Sequence, residues 1–384
     1  MIPLPNTRRF FYKALKQPRY ALGVLAMRLK NYFSYFSGDG KSFYPEAVTL
    51  FLTYNCNLRC KMCGQWGESG VTKKKPLFET KAGLSFIELK DLIDDLSSFR
   101  PNITLFGGEP LLYPDLAGLV KYIKEKNMHC LLITNGSLIE SYAEGLIESG
   151  LDELNVSLDG ASQLHDEIRG LPGLFESIVR GLKKIKQLKL QKKTNKPLVN
   201  LQCTITRYNY QHLKQLLDVA DDVGADSLAF HHLVFLDKEQ IKKQKEYDEA
   251  FGIKSCDWDG FVFDSGIDPD LLFKQVREIL KGRYNFTLDF YPNFSLDGLR
   301  NYYQNFSCLA SKNTGRCLSP WMVAYIFPDA EVRPCLNFTN SYGNIKQEKF
   351  AKLWNNAQAQ RFRSTLKQNK AFPVCFRCTE LYRY

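Results

Sequence analysis

The sequence predicts an α/β fold, a partial (β/α)6 barrel of the TIM type followed by a β-hairpin and helix that carry cysteines. Three observations lead there. Short strand-like apolar runs alternate with amphipathic helical runs after residue 46, which implies parallel strands joined by right-handed crossovers. Chemically unusual residues follow successive strands, as they do where polar loops converge on the C-terminal face of a barrel rather than spread along an open doubly wound sheet. Near the end of the chain, two apolar runs flank a Pro-Asp-Ala-Glu turn, the pattern of a hairpin.

Residues 1–46 read as a basic helical segment, with Pro18 at the start of an apolar and aromatic run from Tyr20 to Phe36. Strands are expected at 47–54, 103–106, 130–134, 153–158, 199–205 and 227–235, with helices at 86–99, 115–126, 140–149, 174–190 and 212–223. These make the barrel unit, 47–235. A connecting region, 236–307, reads as a charged helix at 238–251, an irregular stretch, and a second helix at 271–281. The last unit, 308–384, holds the hairpin (323–327 and 332–335) and an amphipathic helix at 350–367.

Composition narrows the function classes. Of 384 residues, 44% are apolar and 24% charged, ordinary globular values that exclude a disordered or fibrous chain. No apolar stretch approaches the length of a transmembrane helix, and no small-x-small cleavage site follows the short run from Tyr20 to Met27. The formal charge of +11 is concentrated: residues 1–41 hold eight Lys or Arg against the single acid Asp39, and residues 183–196 hold seven lysines and no acid. The remainder is nearly balanced, so local anionic contacts are expected rather than a nucleic-acid-binding face. Eleven cysteines, an odd number at ligand-like spacings, predict a cytoplasmic protein whose thiols bind metal.

Three of those thiols, Cys56, Cys60 and Cys63, fall within one loop after the first strand. Such a loop can wrap three corners of a 4Fe–4S cubane and leave the fourth iron open, and a three-ligand zinc site is the alternative. The run Tyr54-Asn55-Cys56-Asn57-Leu58-Arg59-Cys60-Lys61-Met62-Cys63 resembles the signature of the radical S-adenosylmethionine (SAM) enzymes, with Met62 at a packing position where the family often has an aromatic. Phe106-Gly107-Gly108-Glu109-Pro110 is similar to their methionine-binding turn. The resemblance implies a 4Fe–4S cluster whose open iron chelates SAM, fed by an external donor such as flavodoxin or ferredoxin, and a 5′-deoxyadenosyl radical that takes a hydrogen atom from substrate. It further implies that Gly107, Gly108 and Glu109 approach the methionine amino group, that Ser157 contacts SAM and that Arg169 meets its carboxylate through a fork. The alternative for Arg169 is a surface cap before the next helix. Asn135, in Ile133-Thr134-Asn135-Gly136, reads as structural.

A second set, Cys317, Cys335, Cys375 and Cys378, resembles the twitch domain, a shortened relative of the SPASM domain, which implies a second, fully ligated auxiliary 4Fe–4S cluster. Four thiolates in a hairpin frame also suit zinc. Cys308 is left over, so one auxiliary cluster is expected. His231 and His232 are adjacent on a strand, hence on opposite faces, and read as packing. Cys203 is a hydrogen-atom donor only if it faces the lumen, and Cys130 and Cys256 read as structural.

A closed auxiliary cluster exchanges electrons rather than binding substrate. The expected reaction is therefore a two-electron oxidation of a small-molecule, glycan or lipid-linked substrate, resembling the twitch-containing aminocyclitol dehydrogenases. Peptide maturation, epimerisation and a non-catalytic electron-transfer or regulatory role are the alternatives. The N-terminal segment, residues 1–40, either packs on the barrel with its cations in water, lies peripherally on an anionic membrane, or meets a partner protein.

Overall fold

The computed structural model describes residues 18–76, 80, 83–305, 309–310 and 315–383, with side chains from Ala21 onward. Cys308 and the cations at positions 8–16 lie outside the described residues. The six expected strands form as β1 (Ala47–Phe51), β2 (Asn102–Phe106), β3 (Cys130–Thr134), β4 (Glu153–Ser157), β5 (Leu198–Ile205) and β6 (Ser227–His232). They pair in parallel in chain order. Parallel neighbours need long crossovers, and helices supply them. β4 is buried along Glu153 to Val156, the mark of a strand covered on both faces.

An N-terminal helix, α1 (Pro18–Ser37), precedes the sheet. The crossovers carry α2 (Phe86–Leu96), α3 (Leu116–Glu125), α4 (Ile139–Glu148), α5 (Gln163–Arg169), α6 (Leu174–Gln191) and α7 (Gln215–Asp222). Local chemistry sets where they begin. Ser85 and Glu88 close a capping box at α2, whose Leu89, Leu92, Ile93 and Leu96 form its buried face. Asp115 caps α3 by accepting from the Gly118 N–H at 3.1 Å. α5, which the periodicity does not predict, ends where Gly170 turns left-handed at φ 74°.

Two expectations need correction. The region 236–307 is not only helical and irregular. Besides α8 (Lys238–Phe251), α9 (Pro269–Leu280) and α10 (Leu296–Gln304), it contains β7 (Thr287–Tyr291), a seventh strand parallel to β6. The hairpin is also not separate from the barrel sheet. β8 (Val323–Ile326) lies parallel to β1, and β9 (Val332–Arg333) returns antiparallel to β8. The result is one nine-stranded sheet, ordered β7-β6-β5-β4-β3-β2-β1-β8-β9. A free β1 edge would present unpaired backbone, and β8 covers it.

The expected helix at 350–367 is two: α12 (Phe350–Leu353) and α13 (Ala357–Asn369), after the short α11 (Ser319–Met322). Asn356 breaks the run because its side chain accepts from the Ala359 N–H at 3.0 Å and caps α13. This C-terminal layer grips the N-terminal segment. Trp354 Nε1 donates to the Phe43 carbonyl at 2.7 Å, and the buried Arg363 donates to the carbonyls of Pro320 (2.8 Å) and Gly40 (3.2 Å).

Five of the seven lysines in the lysine-rich run form ion pairs with neighbouring segments. Lys183, Lys184, Lys189, Lys192 and Lys196 pair with Asp222, Glu144, Asp226, Glu148 and Asp152 respectively. Among the described residues, no helix is long and apolar enough to cross a membrane.

Candidate functional site

The loop after β1 is held by its own backbone and by the turns beside it. Cys63 N–H donates to the Cys60 carbonyl at 3.2 Å, and Gly67 N–H to the Cys63 carbonyl at 2.8 Å. Arg59 donates to the carbonyls of Cys56 (2.8 Å) and Leu58 (2.7 Å) and lies 4.4 Å over the Trp66 ring. The sulfur atoms are acceptors in turn. Leu58 N–H reaches the Cys56 Sγ at 3.5 Å, and Trp66 N–H the Cys63 Sγ at 3.3 Å. The three thiols sit close enough that their charges act on one another. Burial pushes the Cys60 thiol up to about 11, opposed by Arg169.

The glycine turn after β2 packs directly on that loop. A Cβ on Gly107, which has φ +152°, would lie 2.7 Å from the Thr53 carbonyl oxygen, and one on Gly108 only 2.2 Å from that of Asn55. Without side chains, Gly108 N–H bonds the Thr53 carbonyl at 2.7 Å and Glu109 N–H that of Asn55 at 2.8 Å. The pair thus brings two backbones together, beyond the ligand approach expected of it. Glu109 is fully buried, and its carboxylate accepts from Leu111 N–H (3.0 Å), Thr134 Oγ1 (2.7 Å) and Asn135 N–H (2.7 Å). It braces the ends of β2 and β3. Asn135, read as structural, also reaches the cysteine loop, donating to Asn57 Oδ1 at 2.9 Å and lying 3.9 Å from the Cys56 Sγ.

Arg169 is no surface cap. Its Nε donates to Asp159 Oδ2 at 2.6 Å, and its other end reaches the Cys60 Sγ at 3.8 Å. Asp159 is wholly buried and also accepts from the Thr204 N–H at 2.8 Å. Burial alone would lower the guanidinium pKa, but the facing carboxylate holds it raised, while burial pushes the Asp159 carboxyl up against the pull of Arg169. Nothing in the sequence marked Asp159 as Arg169's anchor, because the contact joins the turn after β4 to the end of α5. Ser157 closes β4, half-buried, in register with Gln202.

The second thiol set is gathered from three separate segments. Cys317 precedes α11, Cys335 follows β9, Cys375 lies in the short helical turn 373–377, and Cys378 sits between it and the last turn. A bond from Cys317 N–H to the Lys370 carbonyl at 2.9 Å ties the first to the last. All four act on one another electrostatically. Cys317, Cys335 and Cys378 each accept a backbone N–H from the residue two positions on, namely Ser319, Asn337 and Glu380. Soft thiolates with amide donors aimed at sulfur fit iron–sulfur clusters at both sites.

A buried charge group lies near the second set and acts on Cys335. Asp257 faces Lys75 and Arg333, each at 3.8 Å, and Arg333 lies 4.0 Å over the Phe327 ring. Beside the first set, a cleft of about 170 Å³ opens at the C-terminal ends of β5 and β6. Its lining includes Lys61, Met62, Cys63, Thr206, Arg207 and Leu233. Met62 therefore borders the cleft as well as packing. The sequence reading missed Lys61 and Arg207, although Arg207 lies two residues past the end of β5, where barrel enzymes place functional side chains.

The other candidates fall outside the cleft. His232 is buried against the Tyr303 hydroxyl at 2.8 Å with its pKa depressed to about 3 by burial, while His231 meets Gln202. Cys203 and Cys130 are fully buried, and Cys256 is exposed beside Thr339.

Comparison with known proteins agrees with this geometry. The profile of the radical SAM superfamily matches residues 50–220, and that of SPASM, an iron–sulfur cluster-binding domain, matches residues 317–379. Fe-coproporphyrin III synthase of Methanosarcina barkeri is 34% identical over 228 residues, which is 58% of this chain and about half (52%) of that protein. AdoMet-dependent heme synthase of Oleidesulfovibrio alaskensis is 27% identical over 322 residues, covering 80% of this chain and 74% of the relative. The crystal structure of Streptococcus suis SuiB bound to S-adenosylmethionine superposes with a TM-score of 0.60 at 15% identity, over 83% of this chain and 68% of that one, a likeness of fold.

Proposed function

From the premise that this chain belongs to the radical SAM superfamily and carries a C-terminal SPASM iron–sulfur domain, we propose that it catalyses a two-electron oxidation of a carboxylate-bearing substrate. Its cofactors are a 4Fe–4S cluster, S-adenosylmethionine and auxiliary iron–sulfur, so the zinc alternatives fall away. In this reading Cys56, Cys60 and Cys63 hold the first cluster, and Cys317, Cys335, Cys375 and Cys378 hold one auxiliary cluster. Gly107, Gly108, Ser157 and Arg169 attend SAM. When bound, these groups supply a 5′-deoxyadenosyl radical that takes a hydrogen atom from the substrate, and a one-electron acceptor for what remains.

The chain's own residues do the rest. Asp159 fixes Arg169, so the guanidinium stands ready without reorganising. Lys61 and Arg207, on the cleft wall, suit a substrate carboxylate, although Glu68 and Asp264 line the same cleft and Asp264 already pairs with Arg207 at 3.6 Å. Met62, Leu233 and Phe263 keep that wall partly apolar and help exclude water. A flavodoxin or ferredoxin is the proposed donor.

One observation carries the oxidation reading: none of the four auxiliary thiols lines the cleft, so a substrate held there lies away from that cluster's ligands. Electron exchange is the role left to it. Epimerisation loses support because its candidate thiol, Cys203, is fully buried. Relatives named for heme and coproporphyrin synthesis direct the first trials to carboxylate-bearing tetrapyrroles. The test is anaerobic turnover with deuterated candidates. Deuterium should enter 5′-deoxyadenosine, and the product should be lighter by two hydrogens or by carbon dioxide and two hydrogens. A product of unchanged mass and inverted configuration, or a cross-linked peptide, would replace this reading.

A further inference from the structure

Helix α1 is inside out. Three of its polar side chains, Arg28, Asn31 and Ser34, face the protein and are bonded there. Arg28 forks onto the buried Glu46 at 3.0 and 2.7 Å, Asn31 Nδ2 donates to the Tyr44 carbonyl at 3.0 Å, and Ser34 Oγ to the Lys41 carbonyl at 2.8 Å. Asn31 is wholly buried, with Ser34, Ala21 and Tyr35 nearly so. The opposite stripe is apolar and exposed: Leu22 (66%), Leu29 (60%), Phe33 (67%) and Phe36 (59%), with exposed Ala26 between the first two. Steps of four, three, four and three residues place these five on a single face. A helix folding only to bury its apolar side would dock the other way round, yet its hydrogen bonds hold this orientation.

Cations surround the stripe. Arg316 lies 5.0 Å over the Phe36 ring, and Lys367 Nζ donates to the Gly38 carbonyl at 2.9 Å just beyond the helix. Lys30 is exposed on the helix itself, and the sequence places five more Lys or Arg within residues 8–19. Asp39 is the one acid in residues 1–41. Two copies meeting through such faces would bring like charges together, whereas an anionic surface complements them.

We propose that α1 lies in the interface of an anionic lipid membrane, with Leu22, Leu29, Phe33 and Phe36 among the acyl chains and the surrounding cations at the headgroups. The helix is held parallel to the surface, since its polar face is fixed to the protein, so the enzyme binds peripherally. Each cation near an anionic surface strengthens binding roughly fivefold, and salt screens that part. This stands independently of the oxidation reading.

The test is co-sedimentation of the reconstituted holoenzyme with phosphatidylcholine vesicles, with and without phosphatidylglycerol, at low and high salt. Binding should require phosphatidylglycerol. It should weaken about tenfold or more with salt and again in the double variant Leu29→Glu/Phe33→Glu. Iron content and SAM cleavage should match the parent, because these side chains point away from the protein. If that variant loses iron, the milder Leu22→Ser/Phe36→Ser takes its place under the same criteria. Failure of the parent to bind phosphatidylglycerol vesicles overturns the proposal. So does a concentration-dependent dimer that the substitutions dissociate, which would give the stripe to a second copy.

Discussion

At the barrel mouth, Cys60 shares a guanidinium with Asp159, and the Cys56 and Cys63 sulfurs each meet a backbone N–H. Acid reaches this loop too, from Glu109 at Cys56 and Asp159 at Cys60, but no guanidinium stands among the strongest neighbours of the SPASM thiols. The outside charges that reach them most strongly are acidic, Glu380 at three of the four and Asp257 at Cys335. Burial pushes the Cys317 thiol up to about 12 and Cys335 to about 11, and the acids push the same way. A cation beside a cluster stabilises its reduced, more negative state, and an anion does the opposite. One chain thus sets two clusters apart by the charges around them as well as by ligand number, three thiols against four.

The largest expected effect breaks the comparison outright. Replacing Cys56, Cys60 and Cys63 by Ala should cut reconstituted iron from about eight to about four atoms per chain and abolish SAM cleavage. Replacing Cys375 and Cys378 should cut iron equally but leave cleavage uncoupled from product. Iron assay with 5′-deoxyadenosine quantification separates the two, and stoichiometric zinc at the second site would undo the pairing. Next comes Asp159→Asn, which strands a buried guanidinium. Folding stability should fall by about 3–5 kcal/mol in denaturant titration.

Gly108→Ala drives a methyl group into the Asn55 carbonyl. It should cost about 1–3 kcal/mol and loosen the first cluster while leaving the second site's spectrum alone, as selective EPR would show. The smallest effect sharpens the contrast. Glu380→Gln removes an anion from the auxiliary field, so that cluster's midpoint potential should rise by tens of millivolts in an EPR-monitored redox titration, with the first unmoved. A fall, or no change, would mean that Glu380 is screened from the site.

Much of this was legible in the sequence because it is local. Cys56, Cys60 and Cys63 share one loop, Gly107 and Gly108 share one turn, and apolar alternation outlines β1 to β6. What could not be read is what depends on distant pairing. Thr287–Tyr291 is a strand only because β6 offers an edge. Asp159 and Arg169 meet across the turn after β4 and a helix that the periodicity does not show. The break at Asn356 is a capping choice that an amphipathic pattern passes over. For α1 the composition allowed packing or membrane contact, and only the bonded polar face shows which side turns inward.

The seating of β8 beside β1 has a consequence in time. On the ribosome, the loop with Cys56 to Cys63 and the turns that hold it emerge early, and Arg169 follows within the first half of the chain. Cys378 comes 315 positions after Cys63, a delay of about 15–60 s at ordinary elongation rates. During that interval the β1 edge waits uncovered, and three thiols meet solvent before the C-terminal layer can close over the segment that leads into them. Maturation of this enzyme is thus a sequence of exposures, and the first thiol set needs iron, or a protective escort, while the second does not yet exist.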